Sequence, residues 1–262
     1  MIKLEPVGYV RSPARTRAEM VMKGLPAVVE ILPEYRTALS GLSKCSHIWV
    51  LCWFDRADRS VLRARPRKIS GALPERGVFA TRSPDRPNPV ALTCARIVST
   101  NGLKIKLAGL DAIDGTPVVD IKPYSVGTDS VPCASKPDYS VKYKVVSDNF
   151  IANTFARSAL NMCGKLDNDA MKAAAFALKY TRQTCDAPEN GAQEIRHGGL
   201  KASGVDALYA IFGLAPSSCA VKKGNFSGDK IRVKTRRGVI KISLAPKELR
   251  AFKAMISETL LV

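Results

Sequence analysis

Along roughly the first 125 residues the apolar positions recur with the short periods of β-strands. Ile2 to Val10 alternates loosely and stops at Arg11-Ser12-Pro13, which predicts a strand entering a turn. Pro33-Glu34-Tyr35 predicts the first turn of a short helix ending near Cys45, because proline needs no N–H partner there and a carboxylate suits the positive helix end. His47 to Phe54, HIWVLCWF, is a dense apolar run with β-branched and aromatic members, the pattern of a strand buried on both faces. Residues 56 to 76 instead hold Arg56, Arg59, Arg63, Arg65, Arg67, Lys68 and Arg76 among Pro66, Gly71 and Pro74, and predict a basic loop. Val90 to Val98 and Leu103 to Leu107 read as strands joined through Asn101-Gly102, a strong hairpin pair. Val118 to Ile121 is a further short strand between Pro117 and Pro123. Together these elements predict a β-rich unit closed on itself, with one short helix.

After Tyr124 the pattern changes. Residues 125 to 149 lack an apolar period and contain Pro132 and Pro137, as a connecting arm would. Asn161 to Tyr180, rich in alanine, predicts a helix, and residues 184 to 202, rich in glycine, asparagine and charge, a loop. Ser203 is placed to cap a second helix that runs through Phe212 and ends at Gly213. Asp229 to Leu244 alternates on both sides of Arg236-Arg237-Gly238 and predicts a hairpin with basic outward positions, before an amphipathic helix from Pro246 to Leu260. The chain therefore divides into a mainly β N-terminal domain (1–130), a connecting arm (131–150) and a separate α+β C-terminal domain (151–262).

Composition adds a partner class to this picture. The 262 residues carry 41 Lys and Arg against 23 Asp and Glu, a formal net charge of +18. Both parts contribute: residues 1–140 hold 21 basic and 13 acidic side chains, residues 141–262 hold 20 and 10. Such an excess points to a polyanion, with nucleic acid the natural case. The seven cysteines, at 45, 52, 94, 133, 163, 185 and 219, show no metal-ligand spacing and read as reduced thiols, those at 45, 52 and 94 as small core hydrophobes. With only two histidines, His47 and His197, a histidine-rich zinc site is excluded. The N-terminal MIKLEPVGYV lacks a secretory pattern and no run of about 18 apolar residues occurs, so the expectation is a cytoplasmic protein without a membrane partner.

Two stretches carry candidate chemistry. In Gly77 to Thr93, GVFATRSPDRPNPVALT, Arg82 and Arg86 lie in a loop stiffened by Pro84, Pro87 and Pro89; such a loop holds guanidinium forks for a carboxylate or phosphate with little ordering on binding. In Leu110 to Tyr124, LDAIDGTPVVDIKPY, Asp111, Asp114 and Asp120 recur beside Lys122. Carboxylates there can hold ribose hydroxyls or take a proton, while Asp114-Gly115-Thr116-Pro117 is equally a β-turn. His47, on an apolar strand, reads as a hydrogen-bonded core histidine.

HIWVLCWF, GVFATRSPDRPNPVALT and LDAIDGTPVVDIKPY resemble, in the same order and at similar separations, the signature segments of the TrmO-like tRNA N6-threonylcarbamoyladenosine methyltransferases, over about residues 3 to 130. The resemblance implies a β-barrel methyltransferase, a homodimer, that binds S-adenosyl-L-methionine and methylates N6 of threonylcarbamoyl-adenosine beside the anticodon of tRNA. It implies cofactor contacts at Asp55, Arg56, Arg82, Leu92, Ala108, Gly109, Leu110 and Asp111. The chain departs from the pattern at Asp55, where the family has histidine, at Ala91, where it prefers glycine, and at Met20-Val21-Met22-Lys23, which replaces a PRQ-like segment.

Methyl transfer from a sulfonium is an in-line displacement that depends on alignment more than on a strong acid or base. The attacking nitrogen is conjugated to adenine and to a carbonyl, so a nearby base helps by taking its proton; Asp120 and Tyr124 are the candidates. Arg86, Asn88 and Lys122 are the candidates for holding the substrate, Arg86 and Lys122 through its threonyl carboxylate. Two other readings stay open: a non-catalytic RNA-binding module on the same fold, and a methyltransferase with a different substrate. In the C-terminal part, SGVDALYAIFG and KKGNFSGDKIRVKTRRGVIKISL show a faint similarity to one of the formylmethanofuran dehydrogenase protein families; its Cys and His ligands are not recognisable here, and no metal is inferred. The basic hairpin suits an RNA-docking role or a plain solvated surface.

Overall fold

A computed structural model of the chain describes residues 3–20, 24–65, 75–131, 147–185, 188, 192–214, 218–226 and 229–256. The chain separates into two units, with the division between Val131 and Pro132. In the first, strands β1 (Gly8–Arg11), β2 (Leu25–Ile31), β3 (His47–Trp53), β6 (Val90–Asn101), β7 (Lys104–Leu110) and β8 (Pro117–Pro123) close into a barrel in the order β1-β2-β7-β6-β3-β8. All pairings are antiparallel, and β8 closes onto β1 through Gly8 opposite Val118. A small ribbon, β4 (Arg63–Ala64) with β5 (Arg76–Gly77), lies in the long β3-to-β6 connection, and a single turn, α1 (Val126–Asp129), follows the barrel.

Alternation decides which side chains fill the barrel. Val10, Val29, Ile48, Val50, Ile105, Leu107, Leu110 and Val118 are fully buried and form its core with Ala27, Ile31, Cys52 and Ala95. The expectation that His47 to Phe54 is buried on both faces is corrected: Ile48, Val50 and Cys52 point inward, whereas His47, Trp49, Leu51 and Trp53 are only half-buried. A small barrel has one interior, so a strand that lines it hides a single face. Strand β2 escaped the sequence reading because Pro26 and Glu30 interrupt its apolar run, although Ala27, Val29 and Ile31 alternate into the core. The helix expected from Pro33 is two 3-10 segments, Pro33–Leu39 and Leu42–Lys44, separated by Gly41 at φ 82. Neither buries a residue completely, so no fully buried apolar stripe holds a longer helix. Cys52 is buried, and its thiol is pushed up to about 12 by burial, whereas Cys94 is exposed rather than a core residue.

The second unit contains α2 (Asp148–Cys163), α3 (Asn168–Thr184), β9 (Ala192–His197), α4 (Ala202–Phe212), β10 (Val221–Lys223), β11 (Lys230–Thr235), β12 (Gly238–Ser243) and α5 (Pro246–Met255). The strands form one sheet, β10-β9-β11-β12. Its inner residues Ile195, Ile231, Val233 and Ile242 share a core with Phe155, Phe176, Leu208, Phe212 and Phe252 of the helices. The helix expected from Asn161 to Tyr180 is broken at Gly164, whose left-handed φ of 71 caps α2; Asp167 then accepts the Asp169 and Ala170 amides and starts α3. Strand β9 replaces part of the loop expected over 184 to 202, and its polar run conceals only two inward residues, Ile195 and His197. Ser203 caps nothing: its hydroxyl donates to Asp167 Oδ1 at 2.9 Å, and α4 begins after Lys201. Gly213, the hairpin and the start of α5 stand where expected, while Leu260 lies outside the described residues.

His197 is 6% exposed, and its Nδ1 accepts the Leu200 amide at 3.1 Å. Burial first, then the charge of Lys223, holds its pKa below the usual histidine range. The unfolded chain therefore binds the proton first; the stability this site contributes is complete above about pH 6.5 and is lost as the pH falls below it. The melting midpoint of the full chain should fall between about pH 7.5 and about pH 5.5, and His197→Gln should flatten that fall. A fall unchanged in the variant assigns the effect to His47, whose pKa is also lowered, by burial and then by Arg96.

Candidate active site

The barrel's topology gathers three connections at one mouth. Strands β1, β3 and β7 end there and β2, β6 and β8 begin there, as the pairs Trp53–Val90, Leu110–Leu25 and Cys52–Val118 require. Residues 12–24, 54–89 and 111–116 therefore emerge side by side. Asp55, Arg56, Arg82, Asn88 and Asp111 lie in these connections and all five are exposed. Of the departing segment Met20-Val21-Met22-Lys23, residues 21 to 23 lie outside the described residues, as does the 66–74 part of the basic loop.

Asp85, 7% exposed, ties the connections together. Its carboxylate pairs with Arg17 Nη1 at 2.9 Å and accepts the Asp58 amide at 2.9 Å. Arg17 also donates to the Arg56 carbonyl at 2.8 Å. Arg59 donates to the Pro87 carbonyl at 2.9 Å while its guanidinium stands 5.6 Å from the Trp53 ring. Asp114 holds the remaining connection as a turn residue: it accepts the Ser12 amide at 3.1 Å, and its own amide donates to Ala14 at 2.7 Å. Sequence reasoning missed Asp85 and Arg17. An acid between Arg82 and Arg86 in a proline-stiffened basic loop was the available signal for the first; for Arg17 there was none.

The two arginines of the loop differ. Arg86, considered for substrate, donates to the carbonyls of Ser83 at 2.8 Å, Val78 at 2.9 Å and Thr81 at 2.6 Å, so it braces the loop from within. Arg82 is exposed and donates to the carbonyl of Leu92, whose side chain is 43% exposed on the outer barrel face. Ala108, Gly109, Leu110 and Asp111 close β7, with the Leu110 side chain wholly inside the core, so a ligand meets this segment through backbone and through Asp111. Gly24, at φ 82, lies against it: a Cβ there would stand 2.3 Å from the Leu110 carbonyl carbon and 2.6 Å from the Asp111 nitrogen.

Asp120, Lys122 and Tyr124 run down β8 away from the mouth. Leu51 stands opposite both Leu92 and Asp120, so these three share one row; Trp49 stands opposite Cys94 and Lys122. Asp120 accepts the Ile121 amide at 2.8 Å and pairs with Lys122 at 2.7 Å, which commits both candidates to one another. The Tyr124 amide donates to His47 at 3.1 Å, and its ring lies 5.7 Å from Trp49 and 6.4 Å from His47. At roughly 3.4 Å per residue, Tyr124 sits about 13 Å along the sheet from the Leu92 row. A single chain thus brings Arg82, Leu92 and Asp120 near one another but leaves Tyr124 at the opposite end. His47 is half-buried rather than a core residue, with Nδ1 3.0 Å from the Ser46 hydroxyl.

Among the described residues no group of His, Cys, Asp and Glu is placed to hold a metal, and no helix is long and apolar enough to cross a membrane. Residues 10–130 match the family of the tRNA-methyltransferase O N-terminal domain. A protein of Methanothermobacter thermautotrophicus named "Probable S-adenosyl-L-methionine-binding protein" is 45% identical over 134 residues, 50% of this chain and 95% of that one. An "S-adenosyl-L-methionine-binding protein" of Archaeoglobus fulgidus is 41% identical over 132 residues, 49% of this chain and 93% of that one. The human "tRNA (adenine(37)-N6)-methyltransferase" is 36% identical over 130 residues, 48% of this chain, but the chain spans only 29% of its length.

Proposed function

Since the chain belongs to the tRNA-methyltransferase O N-terminal domain family, we propose that it is a methyltransferase that uses S-adenosyl-L-methionine to methylate N6 of an adenosine in tRNA. The observation that carries the reading is the convergence of Arg82, Leu92 and the Ala108–Asp111 segment at one barrel mouth, fixed there by Asp85. The donor set fits the cofactor: exposed guanidinium groups of Arg56 and Arg82 suit a carboxylate, the Asp111 carboxylate suits ribose hydroxyls, and the Leu92 side chain offers apolar surface to a purine. The bound cofactor supplies a methyl group on a positively charged sulfur. The chain's own part is to align the acceptor nitrogen with that methyl and to exclude water, which alone lowers the barrier by several kcal/mol. Asp120 takes the proton from the acceptor nitrogen once the substrate displaces Lys122; Lys122 then turns to an anionic substrate group, with Asn88 at the mouth as a further contact.

The finer substrate is threonylcarbamoyl-adenosine beside the anticodon, a nitrogen whose poor lone pair gives Asp120 its role and whose carboxylate gives Lys122 its partner. A homodimer completes the site: Trp49, Leu51, Trp53, Val90 and Leu92 form an apolar outer face that a second copy covers, bringing another chain's mouth toward Tyr124. The cytoplasm is the compartment where such a substrate is met.

Calorimetric titration with S-adenosyl-L-methionine tests the cofactor site. Saturable binding is expected for the wild type, weakened at least about tenfold in Arg82→Ala, the loss of one charge-assisted hydrogen bond and of the clamp on Leu92. Equal affinities would remove Arg82 from the site, and no binding by the folded wild type would remove the enzyme reading. Transfer to tRNA with and without threonylcarbamoyl-adenosine then tests the substrate, and equal rates would rule out the threonylcarbamoyl preference.

A further inference from the structure

The outer face of the β10-β9-β11-β12 sheet carries one cation from every strand in a single row. The register places Lys222 opposite Arg196, Arg196 opposite Arg232, and Arg232 opposite Lys241, and all four side chains are exposed. With strands about 4.8 Å apart, the row extends about 14 Å. Along β11 the exposed positions Lys230, Arg232 and Lys234 form a second line that crosses it and continues into Arg236-Arg237 at the turn. The opposite face of the same strands is apolar and sealed against the helices, so the sheet has one free side.

Ion pairing distinguishes this face from the rest of the unit. On the helices, Lys172 meets Asp229 at 2.9 Å, Lys179 meets Glu248 at 2.6 Å and Arg182 meets Asp148. On the sheet one carboxylate, Glu194, serves two cations, Arg196 at 2.8 Å and Lys222 at 3.2 Å. Among the described residues Arg232, Lys234 and Lys241 form no ion pair. The Arg232 guanidinium is instead held over the Phe226 ring, 4.8 Å from its centroid, and that ring packs so closely on Gly224 that a Cβ there would meet it at 2.2 Å. A stacked guanidinium loses less freedom when it binds an anion.

We propose that this sheet face docks the phosphate backbone of tRNA, an inference that deepens the function proposed above and rests on it. Cations distributed over about 14 Å match a polymer of phosphates rather than one phosphate group. Phe226 already bears Arg232 on its ring, so the face reads charge and shape, not base identity. The barrel mouth then selects the adenosine, and the sheet supplies affinity that is independent of sequence and sensitive to salt.

The test uses the full chain and a tRNA transcript, with affinity followed by fluorescence anisotropy over a series of potassium chloride concentrations. Neutralising the row with Lys222→Gln, Arg196→Gln, Arg232→Gln and Lys241→Gln should weaken binding at least about tenfold and make the salt dependence shallower by about 3. Lys222→Glu with Lys241→Glu, which spares the Arg232 stack, should act in the same direction, and Lys222→Arg with Lys241→Arg should retain wild-type binding. Titration of the same proteins with S-adenosyl-L-methionine should give unchanged affinities and so report an intact barrel. Unaltered tRNA affinity and salt slope in both charge variants, with cofactor binding intact, would overturn the docking face and leave the methyltransferase reading standing. Absence of any tRNA binding by the wild type would overturn both. Binding to phosphatidylserine vesicles that the charge variants lose, with tRNA affinity unmoved, would give the face to a membrane surface and overturn the RNA assignment.

Discussion

Replacing Asp85 by alanine should abolish measurable cofactor binding at concentrations that saturate the wild type while leaving the barrel folded. Asp85 is nearly buried, yet its carboxylate serves two connections other than its own, through the Arg17 guanidinium and the Asp58 amide. Its removal strands that amide and unpairs Arg17, whose side chain is 42% exposed and is rescued in part by water. A cost of about 2 kcal/mol is expected for the stranded donor and the lost charge-assisted bond together. None of these groups belongs to the barrel core, so the cost falls on the relative placement of residues 12–24, 54–60 and 83–89. Asp85→Asn keeps an oxygen for the Asp58 amide but not the charge for Arg17, and should fall between alanine and wild type. The checks are calorimetric titration with S-adenosyl-L-methionine and thermal melting of all three proteins. Undiminished cofactor affinity in Asp85→Ala would show that the connections hold their places without this anchor.

The parts of the fold legible in the sequence were those where one physical signal stood alone. The β6–β7 hairpin was announced by Asn101-Gly102, and Gly102 does take a left-handed φ of 57. The β11–β12 hairpin showed clean alternation, with Ile231 and Val233 inward and Lys230, Arg232 and Lys234 outward. Signals failed where two requirements overlapped. The apolar outer residues of β3 imitated a doubly buried strand because Trp49, Leu51 and Trp53 continue the apolar run on the face away from the core. Alanine-rich sequence across α2 and α3 concealed the break at Gly164 until the local caps were visible. Strand β9 places two inward residues among four polar ones, too few for a period.

For the candidate site, the residues proposed to touch a ligand were legible and those that hold them were not. Arg82 and Asp111 stood in conspicuous segments. Asp85 looked like one more charge, and its partners Arg17 and Asp58 are 68 and 27 positions away, distances that only the barrel's closure makes short. Sequence also could not separate Arg82 from Arg86: both are forks in the same loop, and only the three carbonyls around Arg86 assign it to bracing.

Gly24→Ala should impair the same site from the opposite side. At φ 82 a non-glycine residue costs about 1–2 kcal/mol before any contact is counted. The added methyl carbon would then lie 2.3 Å from the Leu110 carbonyl carbon and 2.5 Å from its oxygen, all of it backbone that no side-chain rotation can clear. Leu110 is anchored by a side chain fully buried in the core and by its pairing with Leu25, so it yields little. The displacement passes to the connection entering β2 and to Asp111, the two flanks of the mouth. A melting midpoint lower by several degrees is expected, together with loss of at least about tenfold in affinity for S-adenosyl-L-methionine. Gly41→Ala is the control: it has the same φ of 82 but nothing within 4 Å of its would-be Cβ, and it lies beside the 3-10 segments away from the mouth. If both variants lose stability while only Gly24→Ala loses cofactor affinity, the close approach of Gly24 to Leu110–Asp111 is what shapes the cofactor site. If Gly24→Ala binds as tightly as Gly41→Ala, residues 108 to 111 are not part of it.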